Sequence, residues 1–449
     1  MSSGTRQRIK LRPLIGAALL LMLVGASALL LLVSPGSRHP ARVTRPAAPT
    51  IAPTATVTAI DYRRSHIYHS PQSPGFTSWV GAWLTPDGRP MVAFDQATGP
   101  VNPARRRLMP ERLLERSFGM TEDPRDTRHF VYLDPNRDMW GLNQEVVTLA
   151  PGAGTSWRIW RVDPFHALDA QAFTPQADVA LSDGVLLRRI SGSDLANDPH
   201  VPHQALVESL SLNRDDGGRT ARWSKPMMTL HDPGVCTDGI SRIRQLPDGR
   251  VIAMGGVWGY ARGDAGPCAT TPFSLLLLVA QSAADAVLGR WQLGMPFTNA
   301  LAPDEWDAVE LPNGNLLALF RTEVDGRPVR RLAILHRELQ GWKMGTPYTP
   351  PPLPAFEPSG HPELLATKQG AVISFATTGA AYTVDGGRTW RTLPFAGEPA
   401  GFSYTTDYYP RAVQARDGTI YVFSSDGWDI PYGGFNESIV MDSFRLRVS

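Results

Sequence analysis

Paired apolar runs, each pair split by a short step ending in glycine, recur along most of the chain. They read "GAWLTPDGRPMVAF" around Gly88, "DVALSDGVLLRRI" around Gly184 and "IRQLPDGRVIAMGG" around Gly249. They return as "AVELPNGNLLALF" around Gly314, "LLATKQGAVISF" around Gly370 and "AVQARDGTIYVF" around Gly418. Asp-Gly or Asn-Gly between alternating or continuous apolar runs is a strong hairpin signal, because glycine accepts positive φ and the Asx side chain bonds the local backbone. The last four of these glycines follow their predecessors by 65, 65, 56 and 48 residues. Between them lies a second turn-like segment, often ending in tryptophan: "RDDGGRTARW", "SAADAVLGRW", "RELQGW" and "TVDGGRTW".

The repeating unit is therefore two hairpins, or four antiparallel strands. Six such units predict an all-β, six-bladed β-propeller over residues 61–449. The first unit is long. Its segment "PARRRLMPERLLERSFGM" has helical character and reads as an insertion before a second hairpin near "VYLDPNRDMWGL". If "DPNRD" marks a separate blade the count is seven; six keeps the tryptophan turns in register. The terminal "SIVMDSFRLRVS" is expected to pair with residues near 61–70 and close the ring.

Residues 1–34 differ in kind. Arg6, Arg8, Lys10 and Arg12 precede a charge-free run from Pro13 to Ser34, close to the ~20 apolar residues that span a bilayer. The basic flank predicts a cytoplasmic tail and a signal-anchor helix, with everything after it on the extracytoplasmic side of the cell membrane; a cleaved signal peptide is the alternative. Residues 35–60, with "RPAAPTIAPTATVTA", read as a Pro/Ala/Thr spacer. A formal net charge of +2 on 449 residues offers no basic surface for nucleic acid. Cys236 and Cys268 are candidates for a disulfide, with two separate thiols as the alternative. No cofactor motif stands out, and His200, His203 and His231 lack the spacing of a metal site.

"TVDGGRTW", Thr383 to Trp390, matches the Asp-box pattern Ser/Thr-x-Asp-x-Gly-x-Thr-Trp at Thr383, Asp385, Gly387, Thr389 and Trp390. With the blade register, the chain resembles the sialidase-like family of Asp-box propellers. The resemblance implies a structural role for these five residues, on the blade periphery, and a ligand site over the ring centre. It also implies three arginines that hold a substrate carboxylate, a tyrosine nucleophile with a glutamate beside it, and an aspartate acid/base.

Carried over residue by residue, "EWDAVELPNGNLLALFR" resembles the family's Glu-to-Arg segment and "YPRAVQARDGTI" its nucleophile segment. Tyr409 and Glu305 are then the catalytic candidates and Arg321 a ligand clamp. The family's first arginine has no match, because Ser78 and Trp79 stand there; nor has its last, where Ala380 and Ala381 stand. Arg63, Arg64 and Arg242 are the cations available as substitutes, and Asp95 is the nearest carboxylate for the acid role. Aromatic and acidic residues near the last blade, with Asp407, Tyr408, Trp428 and Asp429 as ligand-binding candidates, suit a sugar surface. The expected function is recognition of a glycan or another surface ligand, with glycosidase activity as the further step. A non-catalytic scaffold that docks an envelope protein, or an assembly factor, is the alternative.

Overall fold

The computed structural model describes residues 52–70, 75–98, 143–164, 171–173, 175–192, 205–229, 240–257, 274–296, 301, 305–324, 327–358, 360–425 and 438–449. Among them no helix is long and apolar enough to cross a membrane. The apolar run 13–34 lies outside the described residues, as do Cys236, Cys268, Trp428, Asp429 and the 99–142 insertion.

The strands form six antiparallel sheets, the blades of a propeller. Strand β1 (Val57–His69) precedes blade 1, which holds β2 (Gly75–Leu84), β3 (Pro90–Thr98), β4 (Asn143–Pro151) and β5 (Trp157–Pro164). Blade 2 holds β6 (Gln171–Phe173), β7 (Val179–Ala180), β8 (Val185–Gly192), β9 (Ala205–Ser211) and β10 (Met227–Met228). Blade 3 is β11 (Ile240–Gln245), β12 (Val251–Val257), β13 (Ser274–Ala280) and β14 (Gln292–Leu293). Blade 4 is β15 (Glu305–Glu310), β16 (Leu316–Val324), β17 (Arg327–Glu338) and β18 (Gly341–Met344). Blade 5 is β19 (Glu363–Ala366), β20 (Val372–Ala376), β21 (Gly379–Thr383) and β22 (Arg391–Thr392). Blade 6 is β23 (Tyr408–Gln414), β24 (Ile420–Ser425) and β25 (Ser438–Val448), completed on its outer edge by β1.

The six hairpin glycines each take positive φ, between 79° and 91°, and each donates its N–H to the carbonyl three residues earlier, as Gly314 does to Leu311 at 2.9 Å. This is the turn that the sequence pattern demanded. Closure also follows the expectation: β1 pairs with β25 from Val57↔Val448 to His69↔Ser438, and Thr56 and Ser449 exchange backbone bonds at 2.8 and 3.0 Å. Two boundaries need correction. The outer strand begins at Val57, inside the stretch read as spacer, because its alternating "VTAIDY" already pairs with the C-terminus. The second hairpin of blade 1 is β4–β5, turning at Pro151–Trp157 through Gly154 at φ 64°, whereas "VYLDPNRDMWGL" lies outside the described residues.

Strands buried on both faces read as continuous apolar runs, and here both faces of each blade meet a neighbour. Six hydrophobic clusters fill the six interfaces. Trp306 of blade 4 packs with Leu275, Leu277 and Met254 of blade 3, and Val92 and Phe94 of blade 1 pack with Phe423 and Ile439 of blade 6.

The turn at Thr383–Trp390 joins β21 to β22, the outer hairpin of blade 5. The Asp385 carboxylate accepts from the Thr383 hydroxyl (2.8 Å), the Thr389 N–H (2.9 Å) and the Thr389 hydroxyl (2.6 Å). Burial raises the Asp385 carboxyl, but these bonds outweigh it and hold the group below the usual carboxylate range. Trp390 packs edge-on against Phe356, with ring centroids 5.0 Å apart. A Cβ on Gly387, at φ 92°, would lie 2.6 Å from Leu317 of blade 4, so glycine is required there. The Asp216 turn of blade 2 is built alike: Asp216 accepts from the N–H (2.9 Å) and hydroxyl (2.6 Å) of Thr220.

Candidate functional site

Each inner segment runs down to its hairpin glycine, so the six can be compared at equal spacing from that glycine. Register breaks fall at Ser78/Gly81, Ile240/Arg242 and Tyr408/Arg411, and a 3-10 turn at Pro175–Ala177. Seven positions before the glycine stand Gly81, Ala177, Arg242, Asp307, Glu363 and Arg411. Four of the six are charged, and the four come from consecutive blades with compensating signs. Glu363 accepts from Arg242 (3.0 Å), Arg411 (3.1 Å) and the Ala412 N–H (2.8 Å). Asp307 accepts from Arg244 at 2.7 Å and from the Leu364 N–H at 2.8 Å. Burial raises the Asp307 carboxyl, but the Arg244 guanidinium outweighs it and holds the group below the usual range. A charge taken out of water is tolerated only when paired and hydrogen-bonded. These side chains therefore form a closed ionic layer across the channel on the side of blades 3–6.

Nine positions before the glycine stand Trp79, Pro175, Ile240, Glu305, His361 and Tyr409. Here the catalytic candidates meet. The Tyr409 hydroxyl donates to Glu305 Oε1 at 2.8 Å, although the two residues are 104 positions apart and two blades away from each other. The other carboxylate oxygen, Oε2, lies 2.8 Å from Arg321 Nη1. Arg321 is the direct cross-strand partner of Glu305 in blade 4. Glu305 thus joins Tyr409 by a hydrogen bond and Arg321 by an ion pair.

Tyr409 is held in the left-handed region, φ 55°, at a break in the β23 register between Tyr408 and Arg411. Strain of this kind persists only where the surroundings over-determine it, and it clusters at functional sites. Tyr408 packs against Tyr409 with centroids 4.2 Å apart, and its ring covers Gly360, where an added Cβ would stand 3.5 Å away. Burial, then the Glu305 charge, then Tyr408 push the Tyr409 phenol well above its usual value. The resting tyrosine is therefore a neutral donor, and any attack by its oxygen requires a base to take the proton.

His361 flanks the couple, with its ring 6.4 Å from that of Tyr409. Burial, then the Arg411 and Arg242 guanidiniums, drive its imidazole well below 6.5, so it is neutral. Its Nε2 has no hydrogen-bond partner among the described residues. Arg330, opposite Arg321 in the sheet, donates to the carbonyls of Glu357 (3.1 Å) and Gly360 (2.9 Å) and so fixes the segment that carries His361.

Several sequence-based assignments fall elsewhere. Arg242 belongs to the ionic layer. Arg64 pairs with Asp407 and lies 3.8 Å from Asp442, and Arg63 sits beside it on the outermost strand of blade 6. None of the three is the missing clamp. Asp407 thus serves the ring closure through Arg64. Tyr404 is buried between blades 5 and 6, stacked on Phe395 at 4.5 Å, with its hydroxyl 3.1 Å from Asp442. Asp95 is fully buried toward the Arg188–Asp178 pair of blade 2, and burial keeps its carboxyl well above the usual range. Sequence reasoning missed His361, Glu363, Asp307 and Arg411. The register that marked Glu305 and Tyr409 marks them as well. Among the described residues no group of His, Cys, Asp and Glu is arranged to hold a metal ion.

No model of a known protein family matches the chain, and no curated protein matches it. Among solved structures, it is similar to a protein of unknown function from Dyadobacter fermentans DSM 18053, with 14% identity, a TM-score of 0.55, 88% of this chain covered and 100% of that one. An α-L-arabinanase of Penicillium chrysogenum, complexed with arabinobiose, gives 13% identity and a TM-score of 0.47 over 87% of this chain and 98% of that one. A Trypanosoma rangeli sialidase gives 11% and 0.45 over 88% and 59%. The chain is a six-bladed propeller, and at these identities the likeness is one of fold.

Proposed function

We propose that the mouth of the ring binds and cleaves a glycan with Tyr409 as nucleophile, Glu305 as its base and Arg321 as the group that orients Glu305. The observation that carries this reading is the unbroken chain Tyr409–Glu305–Arg321, with both links at 2.8 Å. In the first step Tyr409 Oη bonds to the anomeric carbon, its proton passes to Glu305 Oε1, and the glycosidic bond breaks toward the leaving oxygen. An aryl glycoside leaves as a phenolate and needs no acid. Water then attacks the anomeric carbon: the proton held on Glu305 returns to Tyr409 Oη as the sugar–tyrosine bond breaks, and the proton released by the water passes to solvent, where it offsets the phenolate. A tyrosine nucleophile departs from the two-carboxylate plan of most glycosidases.

The sialidase-like resemblance supports this assignment, while the shared hydrogen bonding of the Asp216 and Asp385 turns speaks to the fold. In the same reading residues 13–34 anchor the propeller at the extracytoplasmic face of a membrane. The burial of Tyr409, 7% exposed, favours a second reading, in which the mouth binds a sugar or an envelope protein without turnover. Release of fluorophore from aryl glycosides separates the two. Turnover by the wild type and its loss in Tyr409→Phe support the hydrolase; bound sugar without turnover leaves the binding reading.

A further inference from the structure

In blade 1, Trp79 stands nine positions before its hairpin glycine, as Glu305, His361 and Tyr409 do in theirs. Its strand, β2, packs against β23, the strand of Tyr409. The two aromatic residues share a second property. They stand at φ 47° and 55°, each at a break in its strand's register, Ser78/Gly81 and Tyr408/Arg411. A bulky side chain in the left-handed region is a genuine outlier and needs fixed surroundings. On the blade 1 side these are plain. A Cβ on Gly81 would lie 1.9 Å from the Pro175 carbonyl oxygen, so the strand after the bulge is pinned against blade 2. Thr77 and Val80 are completely buried, whereas Trp79 keeps part of its surface accessible.

Charge completes the picture. Arg242 and Arg411 are engaged with Glu363, and Arg188 with Asp178. At the blade 1 position where the sialidase-like pattern has its first arginine, this chain has an indole. A sugar ring has an apolar C–H face that an indole plane covers well, and a carboxylate gains nothing from such a surface.

We propose that Trp79 is a stacking platform for the apolar face of an uncharged sugar ring, so that the mouth selects neutral glycosides over carboxylate-bearing ones. The proposal rests on the glycan reading above and names the substrate class of that site.

The test uses the full chain carrying Tyr409→Phe, so that turnover does not consume the probe, and measures binding to an immobilised set of neutral oligosaccharides and their sialylated counterparts. The expected result is binding to a neutral sugar, weaker binding to its sialylated form, and a loss of about tenfold when Trp79→Gly is added. Trp79→Phe, which keeps an aromatic face, should lose less. Glycine adopts φ 47° without strain, so Trp79→Gly should melt at the same temperature as its parent or higher, which separates loss of a platform from loss of fold. Preference for the sialylated set, no binding to any neutral sugar, or equal binding by Trp79→Gly overturns the proposal. The wild type is then assayed for hydrolysis of the sugar that binds. Binding through Trp79 without hydrolysis sinks the catalytic reading and leaves the platform; hydrolysis indifferent to Trp79→Gly does the reverse.

Discussion

The Arg411 guanidinium of blade 6 lies 3.1 Å from the Glu363 carboxylate of blade 5, and neither side chain reaches solvent. Glu363 also holds Arg242 of blade 3 and the backbone of Ala412, so one carboxylate ties three blades beneath the mouth. Removing one partner of a buried ion pair leaves uncompensated charge and costs about 3–5 kcal/mol. Glu363→Ala should lower the melting temperature by about 5 °C or more, and Glu363→Gln by less, because it keeps the acceptor oxygen. Thermal unfolding checks this; an unchanged midpoint in Glu363→Ala would refute the role of the ionic layer.

The outer turn of blade 5 predicts the opposite pattern. Asp385→Ala deletes the acceptor of three hydrogen bonds and should cost about 1–3 kcal/mol. Because the turn joins the outer strands, sugar binding and hydrolysis should be untouched in the folded fraction. A variant of unaltered stability that lost activity would show that the turn serves the site instead of the fold.

Stability should fall as pH rises from about 4.5 to about 8. Burial, against Arg188 and with Asp178 and Asp163 adding like charge, raises Glu208 from 4.5 to about 8. The folded state therefore binds this proton more tightly than the unfolded chain does. The stabilisation is complete below about 4.5 and is lost as pH climbs through about 8. Asp178 and Asp442, both raised to about 6 chiefly by burial, act in the same direction at lower pH. Glu208→Gln fixes the neutral form, so its melting temperature should exceed that of the wild type at pH 9 and approach it at pH 5. A wild type that grows more stable from pH 7 to 9 would contradict the assignment.

Arg321 acts through Glu305. Its side chain is 23% exposed and that of Glu305 12%, so Arg321→Gln leaves a largely buried carboxylate without its counter-ion and should lower the melting temperature by a few degrees, less than Glu363→Ala. Loss of a charge-assisted bond of about 1.5–3 kcal/mol should lower kcat/KM ten- to a hundredfold. Arg321→Lys keeps the charge without the planar fork and should fall between. A full-rate Arg321→Gln enzyme would remove it from the site.

Six hairpin glycines made the blade count legible, because each marks a turn that only positive φ can close. The Glu305–Tyr409 contact was legible from the sialidase-like resemblance together with the spacing of both residues to their turn glycines. The tally of arginines misled for a physical reason. Arg242 and Arg411 carry charge in the right place, but pairing with Glu363 depends on which side chains face each other across blades, and a linear pattern does not encode that. Asp407 and Tyr404 take partners distant in sequence, Arg64 and Asp442, which a linear pattern does not encode either. Trp79 looked like a missing arginine; the structure gives it, like Tyr409, a left-handed backbone at a register break.

Covalent capture at Tyr409 tests the central claim most directly. The wild type is incubated with activity-based fluorosugars, neutral and sialic, that form a slowly hydrolysed glycosyl-enzyme, and the digest is read by mass spectrometry. The account predicts one sugar mass on the Tyr409 side chain, absent in Tyr409→Phe and much reduced in Glu305→Gln. A sugar attached to the Glu305 carboxylate, or no adduct from a glycoside that the wild type hydrolyses, would contradict it.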